Sequence, residues 1–179
     1  MAVDPKAQRH EIAGVVVRRG RADDLPRLTE IYNHYVIHTP ITFDIEPLTV
    51  EQRRPWFEQF ADAGRHLLFV AEEQGRVEGW ADSHQFRQKR AYDTTVETTA
   101  YCAPESTGRG IGTLLYRTLF EALNDAGLHM AVAGITLPND ASVALHERFG
   151  FTLSGVMHQV GYKFDRYWDV GWYEKRLTS

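Results

Sequence analysis

Three glycines at alternate positions, Gly108, Gly110 and Gly112, stand where the β-rich run "TTVETTAYCA" gives way to an apolar helical pattern. The first turn of a helix presents backbone N–H groups without intrahelical partners, and its dipole favours negative charge. Glycines remove the Cβ atoms that would hold a phosphate off that backbone. The stretch Thr107 to Gly112 therefore reads either as an anion cradle or as a plain tight turn that uses glycine for positive φ. Two common phosphate loops are excluded. No lysine follows Gly112, as a Walker A loop requires, and a G-x-G-x-x-G counted from Gly108 ends on Thr113.

Other residues could carry chemistry. In "NDASVALHERFG", Asn139, Ser142 and His146 fall at i, i+3 and i+7 on one helix face. Asn139 also suits the N-cap. Glu97 lies mid-strand, and alternation gives it the face of Thr95, Thr99 and Tyr101. Cys102 falls on the opposite face. With no His or Asp motif beside it, this single cysteine reads as structural rather than nucleophilic, and it can form no intrachain disulfide. "QFRQKRAY" gathers Arg87, Gln88, Lys89, Arg90 and Tyr92. Such a run is either a solvated basic loop or a set of cations for an anionic small molecule. No metal-ligand spacing appears, so no metal is expected.

The elements that must position these groups fit one domain. The chain has 179 residues, 43% hydrophobic and 25% charged, with a formal net charge of −4. That balance argues against nucleic acid as a partner. No apolar run suits a membrane span or a signal peptide, and the lone cysteine fits a reducing compartment, so a cytoplasmic protein is expected. Residues 1–14 read as a loose tail and 15–179 as the domain. Strands are expected at Val15–Arg19, along "HLLFVAEE" and "RVEGWADSHQF" around a Gln74-Gly75 turn, along "TTVETTAYCA" and "HMAVAGIT", and in two closing segments. Helices are expected after Asp23–Asp24, from Thr49 (with Gln52 as a capping box) to Gly64, after the glycine loop, and from Asn139 to Gly150. In the third helix, Leu114, Leu115, Leu119, Ala122 and Leu123 form the apolar stripe. The order is mixed α/β, with one strand-helix-strand unit near residues 94–136 that makes one parallel pair.

"TGRGIG" resembles the pyrophosphate loop, [QR]-x-x-G-x-[GA], of the GNAT N-acetyltransferase superfamily. "PNDASVALHE", "IYNHYV", "AYDTTVETTAY" and "VGYKFDRYWDVGWY", in that family's order from about Val17 onward, are similar to its phosphinothricin and methionine sulfoximine N-acetyltransferases. The resemblance implies a GNAT fold: a twisted, mostly antiparallel mixed sheet flanked by about four helices. It implies acetyl-CoA as co-substrate. Thr107, Gly108, Arg109, Gly110, Ile111 and Gly112 would lie at its pyrophosphate, and Ala100, Tyr101 and Cys102 beside its pantetheine. Asn139, Ser142 and His146 would be further cofactor contacts. Thr107 replaces the family's Gln or Arg, and Arg109 is expected to compensate. Glu97 would be the general base and His146 its catalytic partner. Arg87, Gln88, Lys89, Tyr92, Glu97, Thr98 and Thr99 would meet a small amino-acid-like acceptor. A homodimer is also implied, with Tyr167, Trp168, Trp172 and Tyr173 in its aromatic closing strands. Two other readings remain: an acceptor that is a protein N-terminus, lysine or polyamine, and a non-catalytic acyl-CoA sensor.

Overall fold

The computed structural model describes residues 12–177. The expected loose tail therefore lies outside the described residues up to residue 11. Ile12 packs on the core, and its carbonyl accepts the N–H of Val15.

The strands are β1 (Val15–Arg19), β2 (Leu67–Glu73), β3 (Arg76–Gln85), β4 (Thr95–Cys102), β5 (Met130–Leu137), β6 (Thr152–Lys163) and β7 (Arg166–Arg176). The helices are α1 (Leu25–His38), α2 (Val50–Glu58), α3 (Ile111–Leu123) and α4 (Asp140–Arg148). One sheet runs β1-β2-β3-β4-β5-β7-β6. Every neighbouring pair is antiparallel except β4 and β5, which α3 connects as a parallel pair. The mixed, mostly antiparallel architecture agrees with the sequence reading.

Local chemistry explains most boundaries. Gln74 and Gly75 both have positive φ, which matches the twist of the β2–β3 hairpin. The Thr49–Gln52 capping box opens α2. That helix stops at Glu58, well short of Gly64. Pro55 lies at its sixth position and not in the first turn, so the ladder loses an N–H there. Trp56, Phe57 and Phe60 instead pack on the sheet. The stripe of α3 is also rotated from the expected one. Ile111, Leu115, Tyr116, Leu119, Phe120 and Leu123 are buried, whereas Leu114 and Ala122 are only partly so.

The sheet is covered on both faces. On one, α3 packs over Val96, Ala131, Ala133 and Ile135. On the other, Leu28 and Ile31 of α1 and the aromatic residues after Thr49 cover Leu68, Val70 and Trp80. Arg53 is buried there, with its guanidinium 4.0 Å from the Tyr32 ring centre and 3.9 Å from that of Trp56.

The feature that matters for function is a fork. β4 and β5 pair only at Thr95/Met130, Val96/Ala131 and Glu97/Val132. Beyond Glu97 the strands continue without a recorded ladder between them, to Cys102 and Leu137. On its other edge β4 stays paired to β3, from Gln85/Val96 to Gly79/Cys102. Gly79 allows this. A Cβ there would lie 2.6 Å from the Tyr101 carbonyl oxygen and 3.1 Å from Cys102 Cα, both backbone atoms that cannot step aside. Gly79→Ala should destabilise the fold by about 1–3 kcal/mol, the usual cost of overpacking. Urea melts would check this, with Gly155→Ala as the control, since nothing lies within 4 Å of a Cβ at Gly155. A Gly79→Ala protein as stable as that control would contradict the account.

Candidate active site

The fork opens into a cavity of about 580 Å³. Its walls come from β4 beyond Glu97, from Ala133 to Thr136 of β5, from the glycine loop, from the first turn of α3 and from one side of α4. Of the residues singled out from sequence, Thr98, Thr99, Ala100, Tyr101, Cys102, Thr107, Gly108, Gly110, Gly112, Asn139, Ser142 and His146 line it. Tyr35 and Ile41 close it on the side of α1.

The glycine loop is anchored from behind. The buried Glu78 carboxylate accepts the Ser106 hydroxyl at 2.6 Å, and its backbone carbonyl accepts the Ala103 N–H at 2.8 Å. Gly108 and Gly110 have φ of +73° and +85°, where other side chains are strained. Gly110 is the N-cap of α3 and supplies no side-chain acceptor to the helix start. Gly112 lets that first turn close on its neighbours: a Cβ would meet Leu145 at 3.3 Å. The result is a helix N-terminus, bare of side-chain caps, at a cavity wall. This is the geometry of an anion site.

Arg109 departs from expectation. Its guanidinium is bidentate to Glu73, at 3.0 and 2.7 Å, and does not line the cavity. It therefore offers no side-chain substitute for the family's Gln or Arg at Thr107. The Thr107 hydroxyl is itself turned to the Pro104 carbonyl. Any grip on an anion must come from the loop backbone.

Asn139 is the expected cap of α4, accepting the Ser142 N–H at 3.2 Å. His146 is 4% exposed. Its Nδ1 lies 2.7 Å from the Ser142 carbonyl oxygen, which can only accept, so Nδ1 carries the proton. Nε2 then accepts the Tyr116 hydroxyl at 2.8 Å. Burial lowers the pKa of His146, against the weaker effect of the Ser142 hydrogen bond, and favours the neutral ring. Both nitrogens are occupied, so the ring is held in one tautomer and orientation. Tyr116 was not singled out from the sequence. The available signal was its hydroxyl, which must find a partner when buried.

Cys102 faces α3, on the side of the sheet opposite Glu97, and burial pushes its thiol up to about 11 against the Gly112 N–H that favours the thiolate. It stays a thiol near neutral pH and is a poor nucleophile.

Glu97 is half-buried, one residue before the first β4 residue of the cavity wall. Its pKa is raised, chiefly by burial and also by Asp82, while His84 and Arg87 oppose the shift. Tyr101, on the same face, stacks on Trp80 at 4.9 Å. Arg87, Gln88, Lys89 and Tyr92 are exposed and do not line the cavity. Arg87 lies over the Phe86 ring, and Tyr92 meets Phe86 edge-on. Ile111, the remaining loop residue, is buried in the core under α3 and lies outside the cavity lining.

Two groups beside Glu97 escaped the sequence reading. His84 is its register partner on β3, with Nε2 3.9 Å from Glu97 Oε2. Asp82 is fully buried and lies 2.7 Å from His84 Nδ1. Among the described residues no cluster of His, Cys, Asp and Glu is arranged for a metal ion, and no helix is long and apolar enough to cross a membrane.

Comparison with known proteins agrees with this geometry. The acetyltransferase (GNAT) domain family matches residues 17–172. A phosphinothricin N-acetyltransferase of Streptomyces coelicolor is 54% identical over 92% of this chain and 98% of its own. An L-methionine sulfoximine/L-methionine sulfone acetyltransferase of Pseudomonas aeruginosa is 35% identical, over 90% of this chain and 94% of its own. The crystal structure of a phosphinothricin acetyltransferase from Sinorhizobium meliloti, in complex with acetyl-CoA, superposes with a TM-score of 0.86 at 32% identity, over 92% of this chain and 89% of that one. An uncapped helix start beside a forked parallel strand pair, on a chain related over nine-tenths of its length, leaves one conclusion: this protein is an N-acetyltransferase of the GNAT family.

Proposed function

We propose that the protein transfers the acetyl group of acetyl-CoA to the amino group of a small amino-acid analogue of the phosphinothricin or methionine sulfoximine type. The observation that carries the reading is the fork. It joins an anion-binding helix start, a slot for an extended arm, and a half-buried carboxylate at its base. The pyrophosphate would take the loop amides of Gly108 to Gly112, and the pantetheine arm would run along Ala100, Tyr101 and Cys102, past Asn139, Ser142 and His146. Glu97 would remove a proton from the acceptor ammonium, leaving a neutral amine to attack the thioester directly. A carboxylate whose pKa is raised by burial is a better base for that step. His146, held neutral between Ser142 and Tyr116, is suited to orient groups near the thioester rather than to donate a proton. Arg87, Gln88, Lys89, Tyr92, Thr98 and Thr99 would meet the acceptor, with Arg87 and Lys89 answering its negative charge.

Thiol release from acetyl-CoA, followed with phosphinothricin, methionine sulfoximine, spermidine and a short peptide, tests the acceptor class. The amino-acid analogues should be preferred, and Glu97→Gln should lower their turnover by roughly 10²-fold or more near neutral pH. Preference for the peptide or polyamine would overturn the acceptor reading, and near wild-type turnover in Glu97→Gln would overturn the base.

The cofactor site has its own test. Asp and Asn both tolerate the left-handed backbone of Gly110 better than other side chains, and they differ in charge. Acetyl-CoA should raise the Tm of the native protein and of Gly110→Asn, because a ligand selective for the folded state stabilises it. Gly110→Asp should abolish the shift. Equal shifts in the two variants would remove the pyrophosphate from this loop.

We also propose a homodimer. β6 ends the sheet, and Leu153, Met157, Val160, Tyr162, Phe164 and Tyr167 lie exposed on the β6–β7 hairpin. An open edge with this much apolar surface favours association. Trp168 and Trp172 are only half-buried, whereas Tyr173 is buried in the core. Light scattering at micromolar concentration should give twice the 20.5 kDa of one chain, and a particle of one chain would contradict the dimer.

A further inference from the structure

We propose that His84, oriented by Asp82, is a positioning residue that receives the acceptor's proton from Glu97 and returns Glu97 to its carboxylate form. The inference rests on the reading of Glu97 as base and goes beyond it. A half-buried carboxylate that has taken a proton must lose it before the next turnover, and one flank of Glu97 is occupied by an imidazole.

The geometry supplies the path. Trp80, Asp82 and His84 alternate along β3 and so share the face that Glu97, Thr99 and Tyr101 present on β4. Asp82 is fully buried. Trp80 Nε1–H donates to its Oδ2 at 3.0 Å, and Oδ1 lies 2.7 Å from His84 Nδ1. An ionised Asp82 can only accept, so Nδ1 carries the proton and the Nε2 lone pair is left free. Nε2 faces Glu97 Oε2 at 3.9 Å. One torsional adjustment of Glu97, or one bridging water, closes that gap. The order carboxylate–imidazole–proton source is that of a catalytic triad, in which the buried carboxylate fixes the tautomer and stabilises the imidazolium.

The steps balance. The ammonium gives a proton to the Glu97 carboxylate and becomes a neutral amine. The Glu97 carboxyl passes that proton to His84 Nε2, giving an imidazolium beside Asp82. The amine nitrogen bonds to the acetyl carbon, the C–S bond breaks, and the thiolate leaves as the amide nitrogen sheds its second proton, so that CoA departs as a thiol. His84, whose side chain is 26% exposed, then releases its proton to water. The net reaction frees one proton per acetyl group.

The surroundings favour this direction. Burial by itself lowers the pKa of His84, but the hydrogen bond and charge of Asp82, with the charge of Glu97, more than offset it and raise the pKa above 6.5. The other charged or titratable neighbours are Arg87, which acts on Glu97, and His66 and Arg65 at the entry to β2, with Asp93 beside Arg65. His66 is pushed the other way, by burial first and by its cationic neighbours second.

The sign follows. A His84 already protonated cannot take the proton, so kcat/KM should fall as pH drops through the raised pKa of His84. In His84→Gln the acid limb should move to lower pH and the plateau kcat should drop by about 10-fold or more, with the acetyl-CoA KM unchanged within a few-fold. His66→Gln should leave the limb in place. In a Glu97→Gln background, His84→Gln should cost nothing further, because the two act as one unit. An unmoved acid limb in a folded His84→Gln protein, or additive losses in the double variant, would overturn the relay while leaving Glu97 as base. A Glu97→Gln enzyme of full activity would instead overturn the base reading itself. Should His84→Gln fail to fold, NMR titration of the native protein decides: the His84 ring must show the Nδ1–H tautomer and a pKa above 6.5, and a pKa below that value rejects the proposal.

Discussion

A parallel strand pair that stops pairing part-way is an expensive object. Beyond Glu97 and Val132 the facing edges of β4 and β5 carry peptide groups with no ladder between them. Buried backbone donors and acceptors left unpaired cost as much as lost hydrogen bonds. The fold tolerates the opening because each strand is firmly held on its other edge, β4 by β3 and β5 by β7 along its full length. The fork is thus rigid at its root and open at its mouth. It presents backbone hydrogen-bonding groups to whatever enters, which suits an extended amide-bearing arm.

Everything else in the site is arranged around that opening. α3 leaves β4 through the glycine loop, so its bare N-terminus stands at the mouth. Glu78 and Glu73 hold the loop from behind through Ser106 and Arg109, which turns those side chains away from the cavity and leaves the recognition to backbone. Tyr35 reaches across from α1 and donates to the Cys102 carbonyl at 2.6 Å, satisfying one acceptor at the end of β4. The segment between α1 and α2 is tied down on the same side. Tyr32 bonds Thr42 and Asp44, Asn33 bonds Leu48 in both directions, and the buried Lys163 ammonium donates to the Thr42 carbonyl. The cavity therefore has a tied-down wall on the side of α1.

The sequence showed the parts whose signals are local. The Thr49–Gln52 capping box, the Gln74-Gly75 turn, the Asn139 cap and the alternation along β4 are each written within a few residues. It ran α2 on to Gly64, whereas the helix ends at Glu58 and Phe60 beyond it packs on the sheet, a tertiary contact that no local signal marks. It missed what depends on register. Glu97 and His84 are thirteen positions apart, across an irregular loop and a short 3-10 turn at Arg90–Tyr92, and nothing local says that they face each other. The same holds for Tyr116 and His146, which meet only when α4 is laid beside α3. Arg109 shows the converse: its position in the motif suggested a ligand contact, and a tertiary partner at the end of β2 claimed it.

The two histidines nearest the fork illustrate how burial alone fails to fix a role. His146 and His84 are both desolvated, which pushes each toward the neutral form. His146 meets a backbone carbonyl and a tyrosine hydroxyl, neither of them charged, so the effect of burial stands and the ring remains a neutral, oriented dipole. His84 meets the Asp82 carboxylate, and a charge-assisted hydrogen bond at 2.7 Å outweighs the same burial. One environment makes an imidazole that resists protonation, in the cavity wall formed by α4. The other makes an imidazole whose protonated form is favoured, beside Glu97. Environments that push paired titratable groups apart are how one fold separates its acid and base work. Here the separation follows the strand order itself, since β3 carries one histidine to the face of α1 and α4 carries the other to the face of α3.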